Sequence, residues 1–304
     1  LRRKLVMKNS KLVVCVIGFV LVVALVALGG DERPLTFKFS KANVTGAMQT
    51  TPSGINNAGT SVGNYIDSAG VGHGYILSGK KLITLDDPNA ESGTTGGSGI
   101  QYNGTGVVGS YTNSAGVSVG FLYKAGKYTD IPGPSGNVGA AANAINDKSA
   151  IVGNYTDSSG VTHGFLLKGG KYATLDVPGG LGTVATGVND KGVIVLFYAV
   201  NSKGTVGGAM TSNNGKTYKK INVPQTGPSG SEALGLNNEG DISFTWFDSA
   251  SAFHGALLHA GKYYKFDYPK AVQTYATGLN DKSTVIGGYQ AVKNGPTAGY
   301  KGVF

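Results

Sequence analysis

The sequence predicts an all-β fold: a six-bladed β-propeller, four antiparallel strands per blade, its ring closed by an N-terminal outer strand. Three observations predict it. One short motif returns six times at a nearly constant spacing. The residues between copies read as four short strands. The last copy lacks a fourth strand, and the N-terminus holds a spare one.

The motif is Gly-apolar-Asn-Asn/Asp. It stands as Gly54-Ile55-Asn56-Asn57, Gly187-Val188-Asn189-Asp190, Gly235-Leu236-Asn237-Asn238 and Gly278-Leu279-Asn280-Asp281. Ala144-Ile145-Asn146-Asp147 is a close copy, and Gly99-Ile100-Gln101-Tyr102 a degraded one. Successive copies lie 45, 45, 43, 48 and 43 residues apart. Four strands at that period is the arithmetic of a propeller blade.

Within a unit, the motif ends an apolar strand, as at residues 184–189, and Asp190-Lys191-Gly192 turns the chain. In the third unit residues 150–156 alternate as a second strand, ending at the turn Asp157-Ser158-Ser159-Gly160. Residues 161–168 make a third strand, Gly169-Gly170 a turn, and residues 171–176 a fourth. Pro178 stops it, because proline has no N–H to give a ladder. The longer connection at 178–183 runs from the outer edge of one blade to the axis of the next, so the motif strand is innermost.

The sixth unit offers strands at 275–280, 284–289 and 298–303, and no fourth follows. Ahead of the first motif, residues 35–39 (Leu-Thr-Phe-Lys-Phe) resemble the outer-strand run Tyr-Tyr-Lys-Phe at 263–266. This segment is expected to complete the last blade and remove the sheet edges of an open array. An open β-solenoid, the alternative, leaves that complementarity unexplained.

Composition agrees. Gly 50 of 304 with only 14% charged residues suits short strands and tight turns. Residues 1–29 hold Arg2, Arg3, Lys4, Lys8 and Lys11 and no acid, followed inward by an apolar run over 12–28 that ends in Ala27-Leu28-Gly29. That pattern predicts a signal peptide, with Met7 able to begin it, and a propeller over 30–304. A secreted, extracellular or periplasmic monomer is expected, with membrane contact only through an uncleaved N-terminal segment. The remaining 275 residues carry 21 cations and 17 acids without a basic cluster, so no nucleic-acid partner is expected. The single cysteine, Cys15, lies in the apolar run, which leaves the mature part without disulfides or thiolate ligands.

Candidate chemistry is sparse. His73, His163 and His254 share one repeat position on the third strand, away from the axis. Copies in alternate blades stand too far apart for a shared metal, so they are read as structural. Aspartates precede proline in Asp86, Asp130, Asp176 and Asp267, with Asn222 in the fourth unit, and are read as turn caps. Glu91, Glu232 and Lys270 are placed in inter-blade loops without convergence. Residues beside the axis are small, and no phosphate loop, zinc-protease motif or nucleophile elbow occurs. No catalytic, cofactor or metal residues are expected. An aromatic position recurs on the second strand: Tyr65, Tyr111, Tyr155, Tyr198, Trp246 and Tyr289. These six are the candidate ligand surface, weighed against plain packing between blades.

The consensus of the units is Gly-Ile-Asn-Asp, Ile-Val-Gly-x-Tyr-x-Asp-Ser-x-Gly, His-Gly-Phe-Leu-Leu, then Lys-Tyr and Asp-x-Pro. It resembles the bacterial extracellular HAF-repeat family, most fully where Gly153, Tyr155, Asp157, His163, Gly164 and Phe165 stand. Unit four departs, with Gly207-Gly208-Ala209 in place of His-Gly-Phe. The resemblance implies export and a propeller-like repeat; it carries no activity. The expected function is an exported, non-catalytic propeller that binds a glycan or protein partner or acts as a surface scaffold. A polysaccharide-active hydrolase or lyase is the alternative.

Overall fold

The computed structural model describes Cys15–Ile17, Val20–Val22 and residues 35–304. Cys15–Ile17 and Val20–Val22 pair as a short antiparallel ladder. The rest of the expected signal segment lies outside the described residues. No described helix is long and apolar enough to cross a membrane.

Residues 38–303 fold as six four-stranded antiparallel sheets arranged as propeller blades. The blades span residues 49–85, 96–131, 139–175, 183–220, 231–266 and 273–303, the last completed by Lys38–Lys41. The third blade shows why. Gly139–Ile145, Ile151–Thr156, Thr162–Lys168 and Lys171–Leu175 are short runs bounded by Asn, Asp, Ser and Gly turns. Hairpins join them in sequence order from the axis outward. Val152, Leu166 and Leu175 of this blade pack with Ala185, Ile194 and Leu196 of the next, so the core lies between sheets.

Every innermost strand carries a β-bulge just ahead of its motif. The register skips Ser53, Ser98, Asn143, Thr186, Leu234 and Thr277. Each skipped residue lines the axis. Its neighbour must then be small: a Cβ on Gly99 would stand 2.7 Å from the Asn143 carbonyl and 2.8 Å from the Ala144 Cα. Six inner strands can approach this closely only because of those residues.

The motif asparagines link blade to blade. Gln101 Nε2 donates to the Asn146 carbonyl, Asn146 to Asn189, Asn189 to Asn237, Asn237 to Asn280, and Asn280 to Asn56, at 2.8–3.1 Å. The same side chains accept from their own turn, as when Asn146 Oδ1 takes the Ala150 N–H at 2.9 Å. One residue thus closes a turn and hands the chain to its neighbour. The following residue repeats the device: Asp147, Asp190, Asn238 and Asp281 N–H groups each meet the next blade's side chain.

The ring is closed as the sequence predicts, with one shift. The closing strand is Lys38–Lys41, paired antiparallel to Ala298–Val303, rather than residues 35–39. Ala42, not Phe39, occupies the place that Phe266 holds in blade five, because its N–H reaches the Gly299 carbonyl at 2.8 Å. Phe39 instead packs against Phe37, Phe266, Tyr268 and Tyr300 at centroid distances of 5.5–6.0 Å. Blade four keeps its place but not its size. Its outer strand shrinks to Lys219–Lys220, paired only with Met210 and Ala209.

Candidate functional site

Strand alternation gives the ring two faces. One carries the motif turns and the outer hairpins. The other carries the turns between second and third strands and the inter-blade linkers.

The axis itself is closed. Tyr102, in the degraded motif copy, is buried, and its hydroxyl donates to the Leu236 carbonyl of the opposite blade. Burial, then the charges of Asp281, Asp190 and Asp147, push its pKa well up. The remaining axial space is about 50 Å³, far below the few hundred that hold a small ligand. Thr186 and Thr277 along it donate to the Ala233 and Pro52 carbonyls, so their hydroxyls are occupied.

The linker face is different. In blades one, three and five the repeated histidine sits between two aspartates. His73 Nδ1 is 2.9 Å from Asp86 and its Nε2 3.5 Å from Asp67. For His163 the distances to Asp176 and Asp157 are 2.9 and 3.2 Å. For His254 those to Asp267 and Asp248 are 2.9 and 3.5 Å. At His73 and His163, carboxylates at both ring nitrogens favour imidazolium, since only that form donates from both. Burial opposes the charge on His73 and His163, but the hydrogen bonds and charges of their aspartates outweigh it and raise both pKa values.

The aspartates divide the work. Asp67, Asp157 and Asp248 cap their turns, accepting N–H groups two and four residues on. Asp86, Asp176 and Asp267, expected as caps, bind histidine instead. Asp130 does not belong with them. It lies within its ladder opposite Phe121, where its neighbours carry Thr84 and Thr174, and accepts from the Tyr111 hydroxyl at 3.2 Å. The cause is the aspartate's place along a fourth strand of the same length: Lys127 opens its strand three residues before Asp130, whereas Lys81 opens its strand five before Asp86.

A signal for these clusters was present in the chain. The histidine, the turn aspartate six residues before it and the linker aspartate thirteen after it occur together in blades one, three and five. They vanish together in blades two and four, where Asn113 and Asn201 hold the turns.

The six predicted aromatics all fall at one ladder position, opposite the histidine site. Tyr65, Tyr155 and Trp246 stack on His73, His163 and His254 with centroids 5.1, 5.1 and 4.5 Å apart. Tyr289 stacks on Tyr268 at 3.8 Å. Tyr111 and Tyr198 are each only 3% exposed and present no face to a ligand. Trp246 also carries Lys265 Nζ 3.9 Å from its ring centre. The structure therefore gathers Tyr65, Tyr155 and Trp246 about three separate histidines rather than about one opening. Glu232 is likewise displaced from expectation: it belongs to the inner strand Ser231–Leu236, opposite Thr245, and burial alone raises its pKa.

An open cleft of about 420 Å³ lies between blades one and two on the linker face. Tyr65, His73, Asn64 and Gln49 line it from blade one, with Thr94 and Ser110 across from them. It shares His73, Gly93 and Thr95 as walls with an adjoining cleft of about 190 Å³ that holds Asp86, Asp87 and Glu91. Neither lining includes lysine or arginine. Amides, hydroxyls, carboxylates and an aromatic ring are there to exchange hydrogen bonds with a polar, uncharged or cationic ligand.

No protein-family model matches the chain, and no curated protein matches it. Solved structures do. A sialidase described as Hadza microbial sialidase Hz136 aligns at 11% identity and TM-score 0.56 over 85% of this chain and 66% of its own. SapL1 lectin, solved in complex with alpha methyl fucoside, aligns at 9% identity and TM-score 0.53, covering 86% and 95%. A mutant of AofleA from Arthrobotrys oligospora aligns at 14% identity and TM-score 0.50, covering 85% and 84%. At such identities the likeness is one of fold.

Proposed function

We propose that this chain is an exported, HAF-type repeat propeller that binds glycans without turning them over, through clefts between blades on its linker face. The observation that carries the reading is the pair of adjoining clefts between blades one and two. Their walls offer the Gln49 and Asn64 amides, the Ser110 hydroxyl, the Tyr65 ring and the Glu91 carboxylate. That set matches a polyhydroxylated ring, which needs donors and acceptors at its rim and an apolar surface at its face. SapL1, a lectin of comparable fold, is recorded with a fucoside. Non-catalytic action is favoured because His73 and His163 each have an aspartate at both ring nitrogens, so neither ring nitrogen is left open to take a proton from a substrate.

The test pairs a glycan array with a panel of glycoside and glycosyl-ester substrates. Saturable binding to at least one glycan, weakened at least about tenfold by Asn64→Ala or Tyr65→Ala, is expected. Turnover of any substrate, or silence on both panels, overturns the proposal.

A further inference from the structure

Five of the six blade junctions share one backbone contact, the junction of blades two and three excepted. A linker N–H donates to a hydroxyl that opens the following inner strand: Val44 to Thr50, Val177 to Thr183 and Val223 to Ser231 at 3.1 Å, and Tyr268 to Thr274 at 3.0 Å. Asp87 makes the same bond to Thr95 at 2.9 Å. The three valines are 3% exposed, and Asp87 is 4% exposed in the same backbone setting. A carboxylate therefore occupies a site where the repeat buries aliphatic carbon, at a desolvation cost that a valine would avoid.

Its own turn accounts for half of it. Oδ1 accepts the Asn89 N–H at 2.9 Å. Oδ2 is buried and has no partner in the protein. Burial, with the neighbouring charge of Asp130, raises the carboxyl's pKa. Asp87 lines the smaller lobe of the cleft with Asp86 and Glu91, and no cationic side chain other than His73 lines that lobe.

We infer that this lobe receives the ammonium group of an amino sugar, with Asp87 as the residue that selects it over its N-acetylated or hydroxyl counterpart. The inference rests on the glycan-binding reading above and names the ligand class for that cleft. An ammonium supplies the charge and donors that Oδ2 lacks. A neutral hydroxyl would leave the Asp87 and Glu91 carboxylates uncompensated, since Asp86 already holds His73.

The test is calorimetric titration of the full chain with glucosamine oligomers and, separately, N-acetylglucosamine oligomers of equal length, at a pH where the amines are charged. The charged oligomer should bind at least about tenfold tighter, the scale of one charge-assisted hydrogen bond. Asp87→Val installs the residue of three other linkers, so it should fold, melt higher and lose the preference. Asp87→Asn keeps the turn and should lose it too. Equal affinities, preference for the acetylated oligomer, or a preference that survives both substitutions would overturn the inference. So would a calcium-induced rise in melting temperature that vanishes in Asp87→Val, which would make the lobe a metal site. Binding of amine-free glycans without an amine preference defeats this inference alone. Absence of any glycan binding defeats the proposed function as well.

Discussion

Replacing Asn280 by alanine tests how the ring is held shut. Its side chain is 2% exposed. Nδ2 donates to the Asn56 carbonyl at 2.8 Å, across 224 residues of chain, and so joins the last blade to the first. Oδ1 accepts the Lys282 and Thr284 N–H groups at 3.0 and 3.1 Å. Truncation strands a buried carbonyl, which costs about 1–3 kcal/mol, and gives up two turn bonds whose donors can reach water, at about 0.5 kcal/mol each. The sum is about 2–4 kcal/mol. With about 2–4 °C per kcal/mol for a domain near this size, Tm should fall by about 4–16 °C. Differential scanning calorimetry, checked by guanidinium titration, measures it, with the exposed-turn substitution Lys282→Ala as reference. Asn280→Asp refines the test. It keeps the two accepted bonds but sets a buried carboxylate against the Asn56 carbonyl, so its folded pKa rises above the ordinary value. Stability of that variant should then increase as pH falls through the carboxylate range. A loss below about 2 °C for Asn280→Ala would refute the inter-blade role of the motif asparagine.

Other consequences are equally direct. Phe39→Ala removes the half-buried ring that meets Phe266, Tyr268 and Tyr300, and should cost about 2 kcal/mol and open the N-terminal strand to limited proteolysis before the blades. Gly99→Ala should cost about 1–3 kcal/mol because its new carbon meets backbone on the neighbouring blade. Gly187→Ala should cost less than half of that, since its first contact is the movable Val195 methyl at 2.9 Å; equal losses in denaturant titrations would contradict the close-approach account of the axis. The Asp–His–Asp clusters should stabilise the fold in mild acid. Raised His73 and His163 pKa values make their contribution complete below about pH 6.5 and lost as pH climbs through the folded values. Lowered Asp67 and Asp157 pKa values make their contribution complete above about pH 4 and progressively lost as pH falls from there through the folded values. Histidine titrations by NMR and stability curves of His163→Asn against pH would show this, and pKa values at or below the free-histidine value would refute it.

Much of the architecture was readable along the chain. Residues such as Asp157, Gly160 and Pro178 act on their own backbone, through turn geometry or a missing N–H, so their spacing reports strands and turns directly. The motif recurs in phase with those breaks, and the strand deficit at one end matches the surplus at the other. Blade number and ring closure follow from such local rules. The three-residue error in the closing strand arose where Phe39 and Phe266 look alike but Ala42 fits beside Gly299.

The site was less readable, because its parts come from different turns and neighbouring blades. Whether Tyr155 offers its face or stacks on His163 depends on a cross-strand register, and whether the Tyr111 hydroxyl meets a carboxylate depends on Asp130 falling inside its fourth strand rather than beyond it. Tyr102 reads as a lapse in a repeat until the opposite blade supplies the Leu236 carbonyl that makes it a plug. Asp87 reads as one more polar linker residue until burial shows it standing where valines stand. Short-range covalent preference is written residue by residue. Desolvation and partnership belong to pairs far apart in the chain, and they exist only once the sheets have come face to face.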